Sequence, residues 1–444
     1  MGTRVSGGPC RESGRGSAPD PCRPAGLPER AGATLSTATE PELVGAPPPP
    51  VRKDAMVLVW LAAVGFSWFG DYAWSVALAW TAAHTLSPVL AGVVLGAEML
   101  PQALLVLVGG VMADRYDPRR MLVAGQIGQA VVLVLGALAW SSGIHGAPIL
   151  LAIAISFGIA SGLTMPSGTT LVRQIVSGDD LGTVQGWNQI SSRAMKLLGA
   201  PVGGVLVAWR GPVAVMLVDA ATFLGIAAVL MLVVRARYRL PRATHDRWRD
   251  SFADGLHYLR SHDTAKLFVL GLTALNVFVT PVTGLGVALR VSGSGWGAHW
   301  LGVADACLAA GAIVGSVVGI RWQPTYGAAA AFRMLVLQGL AIAAVGIGWR
   351  PTLVVAMTVL GFTAGAASVW LSAAFIRAID ASHLGRVSSV TSLGDMTLMP
   401  LSVPALGAVV RASSVQAATL IFGLAMSALC LWFASRRAIR FLAA

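Results

Sequence analysis

Asp71, Glu98, Arg193, Lys196, Asp219, Asp305 and Asp395 each stand inside a long apolar stretch of the chain. An ionisable group in hydrocarbon is costly unless it faces protein or water, so each marks a place where a proton or a charged ligand can be handled. A carboxyl group among apolar side chains holds a proton more readily than one in water, and a like charge nearby strengthens the tendency. Glu98 is the first candidate for a proton carrier, with Asp71 and Asp395 as further candidates. Around Asp71, the residues Trp68, Trp74 and Ser75 fall three or four positions away and share its helix face. That stripe suits a cationic or aromatic ligand, although the same spacing serves packing against lipid or neighbouring helices. A second polar face runs through Asn188, Ser192, Lys196 and Gly199, and a third through Ser388, Ser392, Asp395 and Met399, as expected of helices lining a polar cavity.

The elements that carry these residues follow from composition. Of 444 residues, 55% are hydrophobic and 12% charged, against about 25% charged in soluble domains. A helix needs roughly 20 apolar residues to cross a bilayer core, and such runs recur at about 57–80, 88–113, 119–140, 147–172, 185–208 and 212–234. After a polar stretch they resume at about 267–289, 299–320, 330–349, 352–376, 387–410 and 415–434. The chain therefore divides into a disordered tail rich in Pro, Gly, Ser and Arg (1–54), a six-helix bundle (55–234), a cytoplasmic linker (235–266) and a second bundle with a short tail (267–444). The tail has no continuous apolar run, so the expectation is that it is not a secretory signal.

Charge in the connections sets orientation, because Lys and Arg collect on the cytoplasmic side. With both termini inside, nineteen basic residues, from Arg115 through Arg235 and Lys266 to Arg440, fall in cytoplasmic connections, and only Arg210, Arg290, Arg350 and Arg411 fall outside. The excess of 32 Lys and Arg over 20 Asp and Glu is thus topology, with lipid rather than nucleic acid as its partner. Cys10, Cys22, Cys307 and Cys430 have no metal-ligand or disulfide-framework spacing. The sequence repeats itself about 203 positions apart: Leu181-Gly182 matches Leu384-Gly385, Pro201 matches Pro404, and Gly204 matches Gly407. Repeated six-helix halves fit alternating access around a midplane site.

The segment GGVMADRYDPRRML, 109–122, between the second and third helices, resembles the cytoplasmic loop signature of the major facilitator superfamily. The match assigns Gly110, Asp114, Arg115 and Arg119, with Asp117 and Pro118 departing from the family's usual Gly and base. The resemblance implies an all-α membrane protein of twelve transmembrane helices, and a latch in which Asp114 holds the N-terminus of the eleventh helix near Gly385–Ser389. GAPVGG, 199–204, resembles the superfamily's antiporter signature with one residue fewer between Pro201 and Gly203; such small residues also allow close packing in any bundle. Gly70-Asp71 and Leu100-Pro101 bring the chain nearest to the enterobactin-exporter and macrolide-efflux branch.

The resemblance also implies that helix 2 lies beside helix 11, that Lys196 and Asp305 form a structural pair between helices 5 and 8, and that Asp219, in a peripheral helix, is structural. There is no Walker-type phosphate loop, zinc-binding His pair or nucleophile elbow. The expectation is therefore a proton-coupled exporter of drugs or natural products in a bacterial plasma membrane, with no enzymatic activity, cofactor or metal. A small-molecule substrate and protons are its partners. An importer of the same fold and a non-transporting receptor or scaffold are the alternatives.

Overall fold

A computed structural model of the chain describes residues 42–43, 49–239, 248–380 and 383–440. Most of the expected tail lies outside these residues. The segment just before the first helix does not: Asp54 caps that helix by accepting from the backbone N–H groups of Met56 (3.1 Å) and Val57 (3.4 Å), and Glu42–Leu43 pair with Tyr238–Arg239.

The helices follow the apolar runs. The first half comprises span 1 (Ala55–Thr85), span 2 (Pro88–Arg115), span 3 (Pro118–Ser141), span 4 (Ala147–Ile175), span 5 (Leu181–Arg210) and span 6 (Pro212–Leu232). The second comprises span 7 (Asp263–Gly293), span 8 (His299–Arg321), span 9 (Gly327–Val345), span 10 (Arg350–Ala378), span 11 (Leu384–Ala412) and span 12 (Val415–Ser435). Starts are set by local chemistry, with Ser87-Pro88 and Asp117-Pro118 pairing a capping side chain with a proline at the first helical position. Eleven of the spans are long and apolar enough to cross a membrane. The remaining one, span 5, has 30 residues, ample for crossing at 1.5 Å per residue, but its polar face lowers its hydropathy. Within the linker, Trp248–Ser261 forms a further helix, whose Tyr258 and Leu259 are buried against Ala265, Ile379 and Val387.

Two spans are interrupted where a proline removes a backbone donor. Span 2 consists of two helical segments, Pro88–Ala97 and Met99–Arg115, which meet at Glu98. Pro101 cannot donate to the Ala97 carbonyl, and its ring crowds the same turn. In span 7 the α-helix ends at Pro281 and gives way to a π-helical turn, Val282–Gly286, a wider turn found often at functional sites.

The halves meet along repeat-related seams, span 5 on span 8 and span 11 on span 2, with span 1 touching the end of span 7. Contact is closest at the end carrying the 1–2, 5–6, 7–8 and 11–12 connections. There a Cβ on Gly204 would lie 3.0 Å from the Ala298 carbonyl oxygen, and one on Gly92 would lie 2.9 Å from Cα of Pro404. Any side chain at either position would force the backbones apart. His84 and Ser292 add a polar contact of 3.3 Å between spans 1 and 7 at the same end.

Candidate substrate cavity

Beneath the seams lies a cavity of about 310 Å³ that takes side chains from both halves. Span 1 contributes Tyr72 and Ser75, span 2 Glu98, span 5 Lys196, span 7 Thr283 and span 8 Asp305. Both proline-induced interruptions open onto it, which sets Glu98 on one side and Thr280, Thr283 and Gly284 of the π-turn region on another. A second hollow of about 320 Å³ adjoins it at Lys196 and Thr283 and extends between spans 5, 8 and 10. Each falls near the lower end of the range for small-molecule pockets.

The polar contacts here cross between elements. The Tyr72 hydroxyl and Ser192 Oγ are 2.9 Å apart, and Lys196 Nζ lies 5.7 Å from the centroid of the Tyr72 ring. Arg193 Nη1 donates to Ser316 Oγ (3.2 Å), joining span 5 of one half to span 8 of the other. A third cavity of about 580 Å³ lies within the second half and holds Asp395, whose Oδ2 accepts from Asn276 Nδ2 at 3.2 Å. Asp395 Oδ1 is buried with no hydrogen-bond partner among the described residues.

Several sequence-expected residues stand elsewhere. Trp74 does not line the cavity: it is 3% exposed and packed in the core. Trp68 and Asp71 are also absent from the lining, which uses Tyr72, Ser75, Val76 and Ala79 instead. The cavity face of span 1 is thus turned by about one residue, or roughly 100°, from the stripe centred on Asp71. Asp71 and Asp219 stand on spans 1 and 6 of the first half, outside the lining of this cavity. Asp219 is fully buried beside Gly70, whose lack of a side chain makes room for it; Oδ1 accepts from Thr222 Oγ1 at 3.2 Å and Oδ2 has no partner among the described residues.

Lys196 and Asp305 share the cavity but form no ion pair within 4.0 Å, because the ammonium lies toward Tyr72. Glu98 and Asp395, both candidates for proton carriers, open onto different cavities. Asn188, Ser392 and Met399 are outside the lining of all three, and Asn188 Oδ1 is buried without a hydrogen-bond partner among the described residues.

At the opposite end, the side chain of Asp114 lies outside the described residues. Gly110 has open space beside it and Arg115 is exposed. Arg119 donates to the carbonyl oxygens of Leu230 and Met231 and so caps the C-terminus of span 6 within its own half. Tyr72, Thr283 and Ser316 are cavity residues that sequence reasoning passed over. Tyr72 and Ser75, three apart, carry the phase of the cavity face, and Asp71 lies one position away from it.

Comparisons with known proteins bear on the same architecture. The sequence profile of the Major Facilitator Superfamily matches residues 60–394. An uncharacterized MFS-type transporter, y4rN, of Sinorhizobium fredii (strain NBRC 101917 / NGR234) is 29% identical over 153 residues, which span 34% of this chain and only 37% of that protein. Among solved structures, the nucleoside transporter NupG superposes with a TM-score of 0.68 at 13% identity, covering 85% of this chain and 98% of that one. A bacterial homologue of the iron transporter ferroportin, inward-facing, gives 0.65 at 15% identity and covers 86% and 99%. A bacterial homologue of the human lysosomal transporter Spinster, inward-facing and unoccupied, gives 0.64 at 14% identity and covers 90% and 98%.

Proposed function

Because this chain belongs to the Major Facilitator Superfamily, we propose that it is a secondary transporter that exports drugs or natural products from a bacterial cell in exchange for protons. The observation that carries the reading is Glu98, a carboxyl group at the interruption of span 2, facing a cavity built by both halves. A proton on Glu98 and a substrate in that cavity compete through charge and space, which is the coupling an antiporter needs. Asp71 and Asp219 are further carboxyl groups of the first half that can carry protons, while Asp395 serves the second.

With the basic connections cytoplasmic, the glycine seams close the periplasmic end, and the cavity faces inward in a multi-pass protein of the plasma membrane. The end of span 2 that carries Gly110, Asp114 and Arg115 is the cytoplasmic latch, closing when the seams open, while Arg119 holds the end of span 6 within its own half. The Gly70-Asp71 and Leu100-Pro101 pairs favour the enterobactin-exporter and macrolide-efflux branch.

Everted vesicles carrying the wild type or Glu98→Gln test this with cationic dyes and macrolides. Uptake that an uncoupler abolishes, and that Glu98→Gln abolishes as well, is the expected result. Uptake unaffected by Glu98→Gln removes this residue as the carrier, and transport into right-side-out vesicles alone makes the protein an importer.

A further inference from the structure

We propose that the hollow between spans 5, 8 and 10 is a subsite for the acidic group of an organic anion, held by Arg193 and Lys196. This rests on the reading of the central cavity as the substrate site and adds a ligand class to it. The two cations lie three residues apart on one helix and line the same hollow, Arg193 exposed and Lys196 half-buried, so two like charges face one space. Among the described residues neither has a carboxylate within 4.0 Å, and no acidic residue lines this hollow. Asp305 and Glu98 face Lys196 from the adjoining cavity and leave Arg193 without a counter-charge. A guanidinium stays charged at any accessible pH, and inside a membrane protein such a charge calls for a partner.

The surroundings fit an anion with an organic body. Ser316 holds Arg193 from the second half and leans toward the Gly365 carbonyl oxygen (3.5 Å). The hydroxyls of Thr283 and Ser368 line the same hollow; each donates to a carbonyl of its own helix, Val279 at 3.1 Å and Gly365 at 2.8 Å, and would turn from it to reach an acid oxygen, while Leu308 and Leu360 offer apolar surface. Guanidinium pairs with a carboxylate, phosphate or sulfonate through parallel hydrogen bonds. A carboxylate seated here would contact both halves, since Arg193 and Ser316 belong to opposite ones.

The test is binding rather than transport, so it stands apart from direction and coupling. Purified full-length protein is titrated with 2-naphthoate, benzyl phosphate and naphthalene-2-sulfonate, each paired with a neutral ester or amide, and stabilisation is read from melting curves. At least one anion is expected to bind about 10-fold or more tightly than its neutral partner, and Arg193→Gln to remove that preference without weakening the neutral compound. Arg193→Lys should retain part of it, and Arg173→Gln, at the end of span 4, should retain all of it. Anions that bind no better than their neutral partners in the wild type overturn the proposal without recourse to any variant. So does an anion preference that survives Arg193→Gln. Failure of dye export in vesicles, with the anion preference intact, overturns the exporter reading for cationic dyes and leaves the subsite standing.

Discussion

The carboxylate of Asp54, which caps span 1, also accepts hydrogen bonds from both terminal nitrogens of Arg237, one of them at 3.0 Å, and so ties the start of the first half to the segment that leaves it. Burial alone would raise the carboxyl pKa. The Arg237 hydrogen bonds and charge, with the N–H groups of Val57 and Met56, outweigh it and hold the group below its ordinary value.

A depressed carboxyl pKa stabilises the fold above the unfolded-state value, near 4, and the contribution is lost as pH falls through the folded-state value. Asp54→Ala should lower stability at pH 7 by about 1–2 kcal/mol. Melting curves in detergent between pH 3 and 7 should show wild type and variant converging in acid. A constant gap across that range would count against the pairing as its source.

The seams predict a conformational bias. Gly92→Val and Gly204→Val each place methyl groups where even a Cβ is too close to the facing backbone, a strain of roughly 1–3 kcal/mol. Both should weaken closure at the glycine-lined end. A cysteine replacing Ser75 in the cavity should then react faster with an impermeant thiol reagent added from the periplasmic side. Equal labelling in the parent and both variants would contradict the seam as a gate.

Pro101 keeps span 2 interrupted at Glu98. Pro101→Ala restores the donor to the Ala97 carbonyl and removes a helix penalty of about 3 kcal/mol. Thermal stability should hold or rise while turnover falls, on the order of 10-fold for a misplaced functional group. A variant that is both stable and fully active would show that the interruption does not position Glu98.

Arg119 predicts the reverse pattern. Removing its hydrogen bonds to the end of span 6 should cost about 1–3 kcal/mol, seen in Arg119→Ala melting curves. Transport per folded molecule should change by no more than about threefold, within what 1 kcal/mol allows. A loss of 10-fold or more at unchanged stability would give Arg119 a direct part in the cycle.

Hydropathy made the spans legible because each bilayer crossing consumes a fixed length of apolar chain, and the loop charge made their alternation countable. The repeat of Pro201 and Gly204 in Pro404 and Gly407 indicated two related halves, and the fold sets these residues at the two seams. Helix phase was harder to read. Trp74 and Tyr72 are two residues apart, yet one faces the core and the other the cavity, and only the packing of spans 5 and 6 against span 1 decides which. Contacts between distant positions were also out of reach: Arg193 and Ser316 are 123 residues apart, and Tyr258 of the linker helix stacks at 4.4 Å on His383, just before span 11.

Span 5 carries its polar face into a bundle whose other spans are apolar enough to enter a bilayer unaided. During synthesis it reaches the membrane with Asn188, Arg193 and Lys196 uncovered, before spans 7 and 8 exist to receive them. A single turn at Gly211, with φ of +74°, joins it to span 6, which is long and apolar enough to cross a membrane. Insertion of span 5 therefore depends on its neighbour, and the two enter as a hairpin. Glycosylation mapping of nascent chains should find span 5 inserted only in those long enough to include span 6, which makes span 6 a chaperone for the helix that handles charge.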